Sequence, residues 1–234
     1  MTSDQEWGKL PIDRKIGTQI SAWSQRSSEL KKPFITISRE YGSEGWILGQ
    51  KIEDIINEKG EFDPPWVAYN KEILSKFEHD EQLSQNLVES LEKPISSAIE
   101  EFFDNYFGSK PGRFSIFKKT AKVIKALASH GHVILVGRGS CFITQEMKNG
   151  FHVRVVAPFD WRVETISKQQ NISHKESEKL ITKMEKERDG FIKEYFFTDV
   201  SDPHFYDIVI NSSKIPLDDA AHLILFLMKR RGLI

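Results

Sequence analysis

Cysteine is nearly absent from this sequence, in which Cys141 is the single one among 234 residues. One cysteine cannot form an intramolecular disulfide, so the fold does not depend on an oxidising compartment. An excess of charge of either sign is also lacking, because 33 Lys and Arg residues stand against 34 Asp and Glu residues. The overall charge therefore favours neither nucleic acid nor an anionic membrane as a partner.

Long apolar runs are missing too, and the N-terminus lacks the apolar core of a secretory signal. We therefore expect a cytoplasmic protein without a membrane partner. The histidines show no metal-ligand spacing, and no Gly-x-Ser-x-Gly motif marks a serine nucleophile. A chain of 234 residues is nevertheless long enough to bury one sizeable core.

Five short apolar runs alternate with helical patterns, and this alternation predicts an α/β protein with a parallel, doubly wound sheet. The runs cover residues 34–37, 66–69, 132–136, 152–157 and 206–211. Ligands in such sheets bind beyond the carboxyl ends of the strands, so the residues that follow these runs are the candidates for a site. They are rich in glycine, hydroxyl groups and arginine.

Two helix starts can be read from the second half of the chain. Pro158 ends the fourth apolar run, and Asp160 is placed to cap the helix that follows. Ser173 and Glu176 form a capping-box pattern, which predicts a long helix that reaches about Tyr195.

Residues 1–32 precede the first apolar run and are mostly polar. A helical spacing of apolar residues predicts a short helix near residues 13–29 within this segment. Trp7 and Trp23 are candidates for exposed rings. We expect the segment to be an N-terminal extension that packs on the domain or on a partner, and the alternative is a poorly ordered tail.

The middle of the chain changes from acidic to basic. Residues 72–104 carry nine acidic side chains, and their pattern predicts two helices divided near Lys93-Pro94. Residues 110–125 carry six basic side chains. The basic stretch is either a nucleic-acid patch or the solvated face of an amphipathic helix. The second alternative is favoured by a regular apolar stripe, formed by Phe117, Ala121, Ile124 and Ala128. Residues 217–230 predict a closing helix.

Residues 34–49 have the layout of a phosphate-binding loop. An apolar run is followed by Gly42 and Gly45, and a helical pattern begins at Trp46. Such glycines let the backbone approach an anion, and the free N–H groups of the helix start point at it. The strict motif ends in Lys-Ser/Thr, which this loop lacks, so a purely structural turn is the alternative.

Arginines supply the second group of candidates. Arg138 stands between two glycines directly after the third apolar run, where its guanidinium fork suits bidentate binding of phosphate. Arg188 falls on the apolar stripe of the long helix, and a charge on an inward face is rarely left without a partner. Each arginine pairs either with a nearby acid or with an anionic ligand. With Arg162 and Lys193, they could form a basic ring around phosphates.

Three segments resemble the cytidylate kinase-like proteins, a branch of the P-loop nucleoside monophosphate kinases. They are Ile-Ser-Arg-Glu-Tyr-Gly-Ser-Glu-Gly at 37–45, Val-Gly-Arg-Gly at 136–139, and Asp-Pro-His-Phe-Tyr-Asp-Ile-Val-Ile-Asn-Ser at 202–212. Their order and spacing agree with the family over roughly residues 33–232.

This resemblance implies a three-layer P-loop NTPase-like fold, with a five-stranded parallel sheet, helices on both faces, a helical insert and a small lid. The domain would span residues 33–234, with an insert for the acceptor at about 70–125 and a lid at about 160–195. The resemblance also implies ATP and Mg²⁺ as cofactors and a nucleoside monophosphate, such as CMP, as acceptor. Nucleotides would be the partners, and a homo-oligomer is compatible with the sequence.

The resemblance also assigns roles to individual residues. The donor phosphates would be wrapped by the first loop, that is by Ser38, Arg39, Gly42, Ser43 and Gly45. The catalytic cations would be Arg138, Arg162 and Arg188. The acceptor would be bound by Asn70, Lys71, Arg138 and Lys193. No residue is assigned to a protein metal site.

The loop departs from the family pattern in one respect. Cytidylate kinases have Gly-Lys-Ser/Thr at the positions that align with Glu44, Gly45 and Trp46. Both the phosphate-binding lysine and the magnesium-binding hydroxyl are therefore replaced. Two functions remain open at this point: a nucleotide-binding phosphotransferase, and a catalytically inactive relative that acts as a regulatory or interaction module.

Overall fold

A five-stranded parallel sheet forms the centre of the computed structural model, which describes residues 7–24, 32–91 and 113–234. The strands are β1 (Phe34–Arg39), β2 (Val67–Tyr69), β3 (Val133–Val136), β4 (Gly150–Val156) and β5 (Ile208–Asn211). Their order is β2-β3-β1-β4-β5, and every neighbouring pair is parallel. The predicted α/β fold with five parallel strands is confirmed.

Helices connect these strands. Before β3 they are α1 (Ile12–Ser24), α2 (Gly45–Asn57), α3 (Lys71–His79), α4 (Glu81–Glu89) and α5 (Arg113–His130). After β3 they are α6 (Ser140–Ile143), α7 (Phe159–Gln170), α8 (His174–Phe196) and α9 (Leu217–Arg230). The predicted closing helix has the expected bounds, and α8 begins with the predicted capping box between Ser173 and Glu176.

The sheet is covered on both faces, which makes the fold three-layered. One buried cluster joins Phe34, Tyr69 and Leu135 of the strands to α1, α3, α4 and α5. The other joins Ile37 and Val153 to α2 and α9. Because successive residues of a strand point to opposite faces, runs that are apolar at every position supply both clusters at once.

Helices α7 and α8 pack on each other around a small cluster of their own. Val163, Ile166 and Ile181 are buried there, and Tyr41 of the loop after β1 packs against them. The start of α7 differs from the prediction: Pro158 is the capping residue, and Asp160 lies in the first turn without capping it. A carboxylate in the first turn still interacts favourably with the helix dipole.

The segment after β2 breaks earlier than predicted. Asp80 separates α3 from α4, and its side chain accepts a hydrogen bond from the N–H of Leu83. An aspartate in this position caps a new helix start, so the chain breaks there without proline. The break predicted near Lys93-Pro94 lies outside the described residues.

The apolar stripe of α5 is confirmed, because Phe117, Ala121, Ile124 and Ala128 are all buried. Lys119 is exposed on the other side of the helix. This arrangement is that of an amphipathic helix with a solvated face.

The N-terminal tryptophans are buried, so the expectation of exposed rings is wrong. Trp7 donates from its indole nitrogen to the carbonyl of Trp66 at 3.2 Å. Trp23 stacks on His130 with ring centroids 4.3 Å apart. Large rings of this kind contribute most when an apolar surface covers them, and both rings belong to the buried cluster that includes Val67 and Tyr69 of β2.

A buried ion pair fixes α1 to the domain. Lys15 of α1 lies 2.5 Å from the carboxylate of Glu53 in α2, and both side chains are at most 10% exposed. The second oxygen of Glu53 accepts the backbone N–H of Ala68 in β2 at 2.8 Å. Gln19 adds hydrogen bonds to the carbonyls of Pro65 and His132. The described part of the N-terminal extension is therefore an integral layer of the domain.

The described segments contain no helix with the length and apolar character needed to cross a membrane.

Replacement of Lys15 by methionine should lower the free energy of unfolding by about 3–5 kcal/mol, because it leaves the Glu53 carboxylate buried without its cation. Lys51→Met is the matched control, since Lys51 pairs with the exposed Asp218 at 2.8 Å and should lose at most about 1 kcal/mol. Denaturant unfolding of both variants measures the difference. Equal losses would contradict the anchoring role of the buried pair.

Candidate functional site

A cavity of about 560 Å³ opens where β1 and β3 end and α8 passes over them. Its wall combines cations and anions. The cations are Arg39, Lys71, Arg138, Arg154, Arg162 and Arg188, and the acids are Glu40, Glu185, Glu187, Asp189 and Asp199. The cavity therefore lies at the edge of the sheet where the sequence predicted a ligand site.

The turn after β3 consists of three consecutive left-handed residues. The φ angles of Gly137, Arg138 and Gly139 are 84°, 54° and 68°. Only glycine adopts such angles freely, so the Gly-Arg-Gly sequence allows the turn and places Arg138 in the cavity wall. A Cβ atom on Gly137 would lie 1.9 Å from Nη1 of Arg39, so the absence of a side chain there makes room for a guanidinium.

Arg39 runs back across the start of α2. A Cβ atom on Gly45 would lie only 2.8 Å from Cβ of Arg39, and the guanidinium beyond it rests against Gly137. Burial, followed by repulsion from Arg188 and Arg138, lowers the pKa of Arg39 to about 9, while Glu72 opposes this change. Arg39 is thus a cation held among other cations, as expected at a site for an anion.

The predicted phosphate loop is closed by its own packing. The hydroxyl of Ser43 donates to the carbonyls of Glu40 and Val155, at 3.0 and 3.1 Å. Gly42 packs against α7, where an added Cβ atom would lie 3.0 Å from Ile166. Glu44 points away from the cavity and accepts a hydrogen bond from Gln169 at 3.1 Å.

Three of the predicted loop residues consequently lie outside the cavity, namely Gly42, Ser43 and Gly45, whereas Ser38 and Arg39 line it. Trp46, at the position where the family has a hydroxyl, packs against both buried clusters of the domain.

Arg188 is positioned by an aromatic ring. Its guanidinium lies 5.1 Å from the centre of the Tyr41 ring. Its Nη1 atom is buried and has no hydrogen-bond partner within the described part of the chain. Burial also lowers the pKa of Arg188. The prediction that Arg188 points inward is correct, and its side chain lines the cavity.

Arg162 is the opposite case, because protein groups already bind its guanidinium. It donates to the carbonyls of Ala157 and Tyr41, at 2.9 and 3.1 Å, and pairs with Glu185 and Glu40. These bonds connect α7, α8 and the loop after β1. The structure therefore gives Arg162 a role in holding the cavity wall together.

The predicted acceptor residues are dispersed. Lys71 lines the cavity, but Asn70 uses its side chain to cap α3 through the N–H of Ile73, at 2.9 Å. Lys193 is exposed on α8 and lies outside the cavity lining.

The sequence analysis missed Arg154, which lies in β4, lines the cavity and is only 6% exposed. A signal was present: Val153 and Val155 share one face of the strand, so the opposite face carries His152 and Arg154. A polar pair on one face of a strand inside a doubly covered sheet indicates a buried polar site.

The comparisons with known proteins agree with this geometry. The sequence model of the cytidylate kinase-like family matches residues 34–214. The chain belongs to that family. Membership in the cytidylate kinase-like family makes it a kinase-like, nucleotide-binding type of protein. A search of curated proteins found no match.

Among solved structures, the chain is similar to an uncharacterized protein from Eubacterium ventriosum ATCC 27560, known from a crystal structure. The two are 23% identical with a TM-score of 0.67, and the match covers 86% of this chain and 99% of the other. At this identity the likeness supports the fold.

Gly137→Ala should lower the free energy of unfolding by at least about 1–2 kcal/mol, because it forces a left-handed alanine and pushes the Arg39 guanidinium away. Gly190→Ala is the matched control. A Cβ atom on Gly190 meets nothing within 4 Å, and alanine inside α8 should add about 0.5–1 kcal/mol. Denaturant unfolding measures both, and a neutral Gly137→Ala would contradict the close approach of Arg39.

Proposed function

We propose that this member of the cytidylate kinase-like family binds nucleotide in the arginine-lined cavity. It transfers the γ-phosphoryl group of ATP to a nucleoside monophosphate, such as CMP, or to another small phosphorylated acceptor. One observation carries the proposal. Arg39, Arg154 and Arg188 line one cavity, and none has a carboxylate of the described residues within the 4.0 Å of an ion pair.

The charge of these arginines favours a phosphate ligand. A guanidinium presents several N–H donors in a planar fork, and phosphate oxygens accept them in pairs. Buried cations are stabilised by anions or by many hydrogen bonds. Three such groups around one space support a ligand with more than one negative charge, which is the character of a nucleotide phosphate chain.

The acids of the cavity fit a magnesium nucleotide. Mg²⁺ in kinase sites is usually held by one or two carboxylates together with the substrate phosphates. Asp189 and Asp199 line the cavity, and neither forms an ion pair within 4.0 Å among the described residues. These two would hold the metal, which would neutralise charge between the phosphates when bound.

The chain's own residues would act by positioning and by neutralising charge. An oxygen of the acceptor phosphate forms the new bond to the γ-phosphorus while the bond to the bridging oxygen breaks, which leaves ADP. Arg188 and Arg39 would hold phosphate oxygens, and Arg138 would orient the acceptor phosphate. Helix α8 would exclude water from the reacting atoms.

A second function is favoured by the packing of the loop before α2. Arg39 covers Gly45, and α7 packs closely on Gly42, so Gly42, Ser43 and Gly45 of the loop lie outside the cavity lining. A protein that binds nucleotide but does not transfer phosphate would have this construction. In that case the bound nucleotide would regulate an interaction of the protein.

Titration calorimetry of ATP and of CMP, each with Mg²⁺, tests the binding step. Arg188→Gln should weaken binding by about 10-fold to 100-fold, since a buried charged donor to phosphate is lost. Lys186→Gln is the matched control, because Lys186 is exposed on the same helix and lies outside the cavity lining. Its affinity should equal that of the wild type.

A coupled assay for ADP, with CMP and other monophosphates as acceptors, then separates the two functions. Nucleotide binding with turnover supports the phosphotransferase, and nucleotide binding without turnover supports the catalytically inactive protein. Absence of binding by both nucleotides would overturn both.

A further inference from the structure

Arg154 lies on the seam between the two central strands β1 and β4. It is paired in register with Ser38, so the two side chains share one face of the sheet. This face is opposite to the one on which Ile37 and Val155 pack against α2. Arg154 therefore lies on the face of the sheet opposite to α2, the helix that follows the predicted phosphate loop.

A short chain of hydrogen bonds orients the Arg154 guanidinium. Nη1 of Arg154 donates to the hydroxyl oxygen of Ser38 at 3.2 Å. The hydroxyl of Tyr206 has one proton, which goes to the nearer carbonyl of Val200 at 2.8 Å. Ser38 therefore donates its proton to Tyr206 at 3.2 Å, and its oxygen is left to accept from Arg154.

The Tyr206 ring completes the support. The guanidinium carbon of Arg154 lies 5.7 Å from the centre of this ring. An aromatic face stabilises a cation without neutralising it. Neutral groups thus fix the direction of the guanidinium, and within the described residues no carboxylate pairs with it at contact distance, so it can donate to a further acceptor.

None of the described carboxylates lies at contact distance from Arg154. Asp189 and Asp199 line the same cavity and sense its charge, but neither is within the 4.0 Å of an ion pair. Arg154 is only 6% exposed, and the hydrogen bond that orients it goes to a neutral hydroxyl. A buried guanidinium in this state is incomplete.

We propose that Arg154 binds a phosphate group of the ligand, so that the phosphate site of this chain lies at the β1–β4 seam and is built from side chains instead of loop amides. Arg188, whose Nη1 is buried without a hydrogen-bond partner in the described part of the chain, faces the same cavity from α8. The inference rests on the proposed function for the identity of the ligand as a phosphate. Its geometry does not depend on which nucleotide binds or on turnover.

Inorganic pyrophosphate is the probe, because it carries the phosphate charge without a base or a sugar. Millimolar pyrophosphate should raise the thermal unfolding midpoint of the wild type by about 3 °C or more. Arg154→Met should abolish this rise, and Arg154→Lys, which keeps the charge but loses the fork, should retain part of it. Arg230→Met is the control, since Arg230 is an exposed residue of α9 outside the cavity, and its rise should match the wild type.

Malonate tests whether phosphate is required. It is a dicarboxylate of similar size, and it should give a clearly smaller rise than pyrophosphate. The midpoint of Arg154→Met without ligand should be no lower than that of the wild type, because the variant removes a buried charge that no described carboxylate pairs with at contact distance.

Several results would overturn the inference. They are no rise of the unfolding midpoint in the wild type, an equal rise in Arg154→Met, an equal rise with malonate, or a lower midpoint of Arg154→Met with its pyrophosphate rise intact.

Nucleotide titrations separate this inference from the proposed function. A pyrophosphate rise that depends on Arg154, without nucleotide binding, overturns the proposed function alone. Nucleotide binding that is unaffected by Arg154→Met overturns this inference alone.

Discussion

Positive charge that no described carboxylate pairs with at contact distance is the constraint on which the carboxyl edge of this sheet is built. Arg39, Arg154 and Arg188 enter one cavity from β1, β4 and α8. Burial lowers the pKa of both Arg39 and Arg188, and repulsion from Arg188 and Arg138 lowers the pKa of Arg39 further, so keeping these groups charged opposes folding. The surrounding elements must therefore contribute enough free energy to offset the cost of burying these charges.

That stability comes from both faces of the sheet and from the N-terminal helix. Strands with apolar residues on both faces form two large clusters, and the N-terminal segment adds the rings of Trp7 and Trp23 and the buried pair of Lys15 with Glu53. Next to the cavity, Arg162 connects α7, α8 and the loop after β1 through carbonyls and carboxylates. Arg162, which protein groups satisfy, holds the wall, whereas Arg39, Arg154 and Arg188 line the cavity without a described carboxylate at contact distance.

Much of the fold could be predicted from the sequence, because its strands are short, largely apolar runs and α8 begins with a capping box. The site was harder to predict. Arg188 could be found as a charge on an apolar stripe, whereas Arg154 was hidden in a strand whose apolar neighbours dominate the pattern. The break at Asp80 was missed because one capping aspartate resembles the other acids around it. The partners of Arg162 and the course of Arg39 depend on contacts between distant segments, which local patterns do not encode.

The replaced residues of the loop and the arginines of the cavity can be understood together. A phosphate loop binds anions through backbone amides and a lysine, and it needs an open space above the helix start. Here the side chain of Arg39 occupies that space above Gly45, and its guanidinium lies against Gly137. At the end of β1, Ser38 lines the cavity on the face where Arg154 is held by neutral groups. Loss of the lysine is therefore compatible with phosphate binding, since guanidinium groups on rigid strands provide the charge and the directed donors that loop amides provide elsewhere.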